Sequence, residues 1–102
     1  MIGSNTKLIL SNMNTLFITK DENIVKLGKI LSNENRLRIL QLSDGRHIRK
    51  DIEYALDLTP NAFTNHINVI NSLPREKRIL NKLREGNTVS YVRNYDYILI
   101  AL

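Results

Sequence analysis

Uncharged polar side chains recur through residues 59–73 at a spacing that suits contact with the edges of DNA bases. At about 100° per residue in a helix, the apolar residues of this segment would gather on one side and the amides and hydroxyls on the other. Asparagine can pair with the N6 and N7 atoms of adenine, and threonine can bond to several base edges. The sequence therefore predicts a base-reading set comprising Asn61, Thr64, Asn65 and Asn68. An ordinary solvated helix face rich in asparagine would show the same pattern, and both interpretations stay open.

A basic stretch follows this segment. The chain carries 15 Lys and Arg against 10 Asp and Glu, a formal net charge of +5, and much of the excess falls within residues 74–84. Such a local excess is typical of contact with a nucleic acid, although a membrane surface or an acidic protein would attract it too. We predict that the DNA backbone is contacted by Thr59, Arg75, Lys77, Arg78, Lys82, Arg84 and Asn87.

Patterns that indicate catalysis or metal binding are missing from the sequence. It has no cysteine and two histidines, so a disulfide, a thiol nucleophile and a thiolate metal site are excluded. Neither a glycine-rich phosphate loop nor a Ser-His-Asp order with supporting context is found. We expect no enzyme, no cofactor and no metal. His66, on the apolar side of its helix, should be packed and hydrogen-bonded, and His47 should lie on the surface.

The first 17 residues are interrupted by polar side chains and lack the apolar core of a signal peptide. No stretch approaches the ~20 apolar residues of a membrane span. We therefore expect an intracellular protein, cytoplasmic and associated with the nucleoid, or in the host cytoplasm if it is viral.

Local signals predict four helices. A capping box at 19–22 starts the first, over about 21–32. The second follows the polar residues 32–35 and ends where Gly45 can adopt a left-handed conformation. A third is expected from 47 or 48 to about 56. Thr59 and Pro60 start the fourth, since threonine can cap free amides and proline loses no hydrogen bond at the first position. The short connection between the last two predicts a helix-turn-helix.

A hairpin is predicted after the last helix. Residues 79–84 and 88–93 are strand-like runs joined through Glu85-Gly86-Asn87, where Gly and Asn tolerate the positive φ of a tight turn. Lys82, Arg84 and Arg93 lie toward the tip or ends of these strands, which suits a ribbon along a phosphate backbone. A plain surface hairpin is the alternative.

With 102 residues the chain is long enough for one modest core. We divide it into an amino-terminal extension (1–20), a DNA-binding domain (21–93) and an apolar tail (94–102). The extension and the tail are predicted to form a homodimer contact through Leu8, Leu10, Leu16, Ile18, Tyr95, Tyr97, Ile98 and Ile100. An intrachain core is the alternative, and a stacking platform for single-stranded nucleic acid is less consistent with the pattern.

Three blocks in order resemble the ArsR-type winged-helix regulators. Residues 27–40 look like the family's helix ending in Ala-Leu-Ser, followed by a polar turn and Arg-Leu-x-Ile-Leu. Residues 63–70 are similar to its recognition helix, Val-Ser-x-His-Leu-x-Val-Leu, and residues 84–91 to its wing, Arg-Glu-Gly-Arg-x-Val-x-Tyr. The blocks together span roughly residues 22–93.

The resemblance implies a mainly α fold with a small β-hairpin wing (α+β), a winged helix-turn-helix that binds double-stranded DNA as a dimer. Thr64, Asn65 and Asn68 fall where the family contacts bases, and Arg84 falls in the wing. The family's metal-sensing cysteines are replaced by other residues at 46–50, and the loop before the wing is longer and more basic than usual. We therefore expect a transcriptional regulator, most simply a repressor, without a metal switch. A protein-interaction module or a non-specific architectural DNA-binding protein is the alternative.

Overall fold

In the computed structural model, residues 14–102 are described; the predicted contacts of Leu8 and Leu10 lie outside this range. The described elements, in chain order, are β1 (Thr15–Ile18), α1 (Asp21–Leu31), α2 (Glu34–Leu42), β2 (Asp44–Ile48), α3 (Arg49–Ala55), α4 (Pro60–Ile70), a 3₁₀ turn (Arg75–Lys77), β3 (Leu80–Glu85), β4 (Thr88–Arg93) and β5 (Tyr97–Ile100). The four predicted helices and the hairpin are all present. Strands β2 and β5 were not predicted.

The first two helices start by different means. Helix α1 begins after Lys20 and has no side-chain cap, so the predicted capping box at 19–22 is wrong. Helix α2 is capped as expected, because the Asn33 side chain accepts a hydrogen bond from the Arg36 amide at 3.1 Å. It ends at Leu42, and the hydroxyl of the following Ser43 donates to the Ile39 carbonyl at 2.5 Å. The left-handed Gly45 (φ 81°) therefore does not end the helix but lies within β2.

Helix α4 starts at the predicted residue. The Thr59 hydroxyl oxygen accepts a hydrogen bond from the Ala62 amide at 3.1 Å, with Pro60 in the first turn. The helix ends at Ile70, about three residues earlier than the sequence suggests. The reason is Asn71, whose side chain donates to the Leu80 carbonyl (3.1 Å) and accepts from the Leu80 amide (3.0 Å). This pair ties the end of α4 to the start of β3.

A tight turn joins α3 to α4. Asp57 has a positive φ of 52°, the left-handed conformation that commonly closes a helix. The Leu58 amide donates back to the Glu53 carbonyl at 2.9 Å, and the Asp57 amide to Tyr54 at 3.2 Å. Because the connection spans residues 56–59, the predicted helix-turn-helix is confirmed.

Two small sheets complete the fold. The antiparallel sheet has the strand order β2-β4-β3, and the hairpin between β3 and β4 turns at Gly86, which has a φ of 57°. The second sheet pairs β1 with β5 in parallel, so the two ends of the described chain lie side by side.

One core is shared by the helices and by both sheets. Phe63 of α4, Ile52 of α3 and Ile39 of α2 are buried in it, together with Leu80 and Tyr91 from the hairpin. Leu16 and Ile18 of β1 are 2% and 0% exposed, so they belong to this core and are not available as the predicted dimer contacts. No helix within residues 14–102 is long and apolar enough to cross a membrane.

Candidate nucleic-acid interface

The polar face of α4 is exposed, and its apolar face packs on the core. Asn61, Thr64, Asn65 and Asn68 all face solvent, whereas Phe63 and Ile70 are completely buried. Their separation follows from the helical period that the sequence displays. The structure therefore brings the four predicted base-reading residues together on one surface.

Arg49, the first residue of α3, contacts the start of α4 at three points. Its Nη2 donates to the Pro60 carbonyl at 3.0 Å and to the Thr64 hydroxyl at 2.8 Å. The guanidinium carbon lies 4.8 Å from the centroid of the Phe63 ring, within reach of a cation–π interaction. Sequence reasoning missed this role because the partners are 11 to 15 residues away and no local pattern links them.

A carboxylate on the same helix holds the Arg49 guanidinium. Its Nε donates to Glu53 Oε2 at 2.8 Å, and the two side chains are 23% and 13% exposed. Burial lowers the pKa of Arg49, but the hydrogen bond to Glu53 and the nearby Tyr91 together raise it by more, so the net shift is upward. Arg49 is thus a permanently charged group whose charge is paired within α3.

The hairpin presents two cations beside α4. In the register of β3 and β4, Lys82 lies opposite Tyr91 and Arg84 opposite Val89, and residues directly opposite each other project from the same face of a sheet. The Tyr91 ring is 5.8 Å from the Phe63 ring of α4, which identifies this face as the one toward the helix. Lys82 and Arg84 are both exposed. They therefore lie on the helix-facing side of the hairpin.

The tip of the hairpin lies close to the start of α4. A cleft of about 410 Å³ is bounded by the first turn of α3, by Pro60 and by residues 87–89. Asn87 lines this cleft and is exposed, as are Thr59 and Lys50 nearby. The structure thus brings the predicted backbone contacts Thr59 and Asn87 to the same end of the reading helix.

The basic residues 75–78 lie elsewhere. They follow the carboxyl end of α4 and adjoin the base of the hairpin, where Leu80 pairs with Arg93, about 17 Å of strand away from the tip. Lys77 Nζ donates to the Phe17 carbonyl of β1 at 3.0 Å, and Arg78 Nε donates to the Leu80 carbonyl at 3.0 Å. The structure does not bring Arg75, Lys77 and Arg78 to the hairpin tip with Asn87, and two of these three cations already bind carbonyl groups.

Two further arginines cap the ends of helices. Arg93, which the sequence suggested as a wing cation for the phosphate backbone, donates through Nη1 to the carbonyls of Leu40 and Gln41 at the end of α2. Arg36 donates to the carbonyls of Lys29 (2.7 Å) and Ile30 (3.1 Å) at the end of α1. Cations are favourable at this end of a helix because the carbonyls there carry partial negative charge.

His66 is packed and hydrogen-bonded, as its pattern indicates. It is half-buried on α4, and its Nδ1 lies 3.3 Å from Arg36 Nη1. Burial lowers the pKa of His66, and the positive charge of Arg36 lowers it further. His47 is exposed and bonds to Asp44 at 3.0 Å. Within residues 14–102, no cluster of His, Asp and Glu could hold a metal ion.

The depressed pKa of His66 predicts a loss of stability in mild acid. Between the folded pKa and the ordinary value near 6.5, the unfolded chain binds more protons than the folded chain. The free energy of unfolding should therefore fall as the pH drops below about 6.5. In His66→Asn an amide oxygen replaces the accepting nitrogen and does not titrate, so this loss should be smaller. Urea unfolding at pH 7.5 and pH 5.5 measures it, and equal losses in both proteins would contradict the assignment.

Known proteins resemble this chain in structure. No protein-family model matches the sequence, and no curated protein matches it. The crystal structure of NolR from Sinorhizobium fredii aligns with a TM-score of 0.59 and 18% identity over 74% of this chain and 72% of that one. Reduced HlyU from Vibrio cholerae N16961 aligns with a TM-score of 0.56 and 26% identity over 71% of this chain and 73% of that one.

These neighbours define the fold class. NolR and HlyU are winged-helix transcriptional regulators, a class of DNA-binding proteins and not of enzymes. The chain has the same α+β winged-helix fold, with α3 and α4 as the helix-turn-helix and β3 and β4 as the wing. The fold predicted from the sequence is confirmed.

Proposed function

We propose that this protein is a sequence-specific, ArsR-type transcriptional regulator that acts as a dimeric repressor on double-stranded DNA. One observation carries the proposal: the uncharged reading face of α4 and the exposed wing cations Lys82 and Arg84 are presented by the two elements that pack together through Phe63 and Tyr91. In a winged helix the second helix of the helix-turn-helix enters the major groove. The wing beside it then lies along the phosphates.

Different residues are proposed to recognise the bases and to bind the phosphates. Asn61, Asn65 and Asn68 are free to bond to base edges, since no protein partner occupies their side chains within the described chain. Helix α4 contains no charged residue other than His66 when protonated, so it adds little long-range attraction. Lys82 and Arg84 supply the phosphate contacts, and Asn87 and the Thr59 hydroxyl add neutral ones.

The dimer is proposed to form through the sheet of β1 and β5. Phe17 lies opposite Leu99 in its register, and these side chains are 59% and 38% exposed. Tyr97 is exposed on the same face of the sheet, so the three side chains make an apolar surface next to the core. Ile100 is also exposed, but it lies on the opposite face with Ile18, at the end of the strand. Tyr95 and Ile98, also among the predicted dimer contacts, are half-buried against the core. A two-fold dimer would present two α4 helices to successive major grooves, about 34 Å apart, and would repress transcription by occupying the site.

Binding to duplex DNA tests the function directly. We expect the protein to bind a random duplex at low salt, with an affinity that falls steeply as salt rises. Selection from a random duplex pool should then enrich a motif with two-fold symmetry. Absence of binding at low salt would refute the function, and binding without an enriched motif would favour an architectural DNA-binding protein.

Asparagine variants test which residues read the bases. Asn65→Ala or Asn68→Ala should cost ~1–3 kcal/mol of discrimination at particular base pairs, because each removes a pair of hydrogen bonds to one base. Binding to random duplex should barely change. The selected site and its single-base variants, titrated by fluorescence anisotropy, give both quantities. Gln41→Ala, an exposed amide on α2, is the control. If the variants weakened random and selected DNA equally, the assignment would be wrong.

A further inference from the structure

We infer that Arg49 is a positioning residue that sets which DNA sequence the protein prefers, by fixing the start of α4 and the Thr64 side chain against α3. This inference rests on the proposed function, because it concerns the same reading helix. Arg49 is outside the predicted reading and backbone sets.

The geometry around Arg49 joins the two helices of the helix-turn-helix. One guanidinium contacts Glu53 on its own helix, and the Pro60 carbonyl and Thr64 hydroxyl on the other, all at 2.8–3.0 Å. It also lies over the Phe63 ring. A planar guanidinium has several donors in a fixed, forked arrangement and can make these contacts together. A lysine ammonium is a point charge and cannot reproduce this arrangement of donors.

The pairing with Glu53 keeps the guanidinium in place. Both side chains are mostly buried, so the pair is screened less than an exposed ion pair would be. Nε and Nη2 are engaged inside the protein, so of the five guanidinium donors only the two on Nη1 are left for a phosphate or a base. Arg49 acts through α4.

The contact with Arg49 changes the role of Thr64. Its hydroxyl oxygen accepts the hydrogen bond from Nη2, which occupies one of the two lone pairs and fixes the direction of the side chain. We assign recognition to Asn61, Asn65 and Asn68, whose places relative to the groove follow from how Arg49 holds the first turn of α4. A hydrogen bond weakens steeply as its distance and angle depart from the ideal, so a small displacement of this turn would weaken the contacts with the bases.

Two conservative substitutions and a matched control test the inference. Arg49→Lys keeps the charge and loses the fork, Thr64→Val keeps the shape and loses the acceptor, and Arg46→Lys makes the same chemical change at an exposed arginine on β2. Each variant is titrated with random duplex at low salt, with the selected site, and with a set of single-base variants of that site. Hydrogen exchange of the free proteins reports on the amides at 61–66.

Arg49→Lys should lower the ratio of the affinity for the selected site to the affinity for random duplex by about tenfold. The lost discrimination should be distributed over neighbouring base pairs. The affinity for random duplex should stay within about twofold of that of the parent protein. Its amides at 61–66 should exchange faster. Thr64→Val should accelerate the same exchange and leave the base preferences in the same order, and Arg46→Lys should change neither quantity.

Three outcomes are decisive. If Arg49→Lys kept both the affinity ratio and the exchange rates, the positioning role would be overturned. If Thr64→Val lost discrimination at a single base pair without faster exchange, Thr64 would contact a base and the inference would fail. If the parent protein bound no DNA while Arg49→Lys still accelerated exchange, the proposed function and the effect on sequence preference would fail, and the mechanical link between α3 and α4 would stand.

Discussion

Replacement of Phe63 by alanine is expected to destabilise the protein by about 3–5 kcal/mol. The ring is 0% exposed and is the largest completely buried side chain described. It packs against Tyr91 of the wing and lies under the Arg49 guanidinium. The substitution therefore leaves a cavity where the reading helix, the first helix of the pair and the hairpin meet. Domains of this size have about 5–15 kcal/mol of total stability, so a large share would be lost.

Urea unfolding followed by circular dichroism measures this effect. Phe63→Leu fills more of the cavity and should cost less, which keeps the test informative if the alanine variant does not fold. Tyr54→Ala is the control, because this aromatic side chain is 90% exposed and its loss should cost less than about 0.5 kcal/mol. A Phe63→Ala variant within 1 kcal/mol of the parent would show that the core does not depend on this ring.

Local chemistry explains why the sequence located the reading helix so well. The Thr59 cap and Pro60 act within one turn, and the structure starts the helix at the predicted residue. The end of the helix depends instead on the two hydrogen bonds between Asn71 and Leu80, nine residues apart. A pattern of apolar residues carries no information about such a contact, so the predicted helix was too long.

Strands β2 and β5 show the same limit. The sequence Asp-Gly-Arg-His-Ile of β2 has no alternation of apolar and polar residues, and it is extended because it pairs with β4. Strand β5 pairs in parallel with β1, more than 75 residues earlier in the chain. The residues of β2 carry no local strand signal, and the short apolar run of β5 does not reveal that its partner is β1.

The cations were the least predictable part of the candidate site. Sequence reveals where positive charge accumulates but not which carbonyl groups it meets. Lys77, Arg78 and Arg93 all donate to backbone carbonyls within the chain, and Arg49 is bound to Glu53. Lys82 and Arg84 are exposed cations on the side of the hairpin that faces α4. Lys82 pairs with Tyr91, whose ring contacts Phe63 of α4, and Arg84 pairs with Val89.

Two double variants with the same change in charge should therefore differ in their effect on DNA binding. Lys82→Ala/Arg84→Ala and Arg75→Ala/Arg78→Ala each remove two positive charges from a net charge of +5. The first pair should reduce the slope of log affinity against log salt by about 1.8, which corresponds to two lost phosphate contacts. The second pair should reduce the slope by less than about half of that value. Loss of a distant charge weakens the general attraction to DNA but does not remove a phosphate contact.

The slopes are measured by titrating random duplex between low and physiological salt, after circular dichroism has shown that both variants fold. Comparison of the two pairs at equal net charge separates contact from general attraction, since only contact releases counterions from a particular phosphate. If Arg75→Ala/Arg78→Ala produced the larger change, the DNA would have to follow the carboxyl end of α4 and the base of the hairpin. The reading helix would then enter the groove by the opposite end, and the asparagines nearest that end would become the base-reading residues.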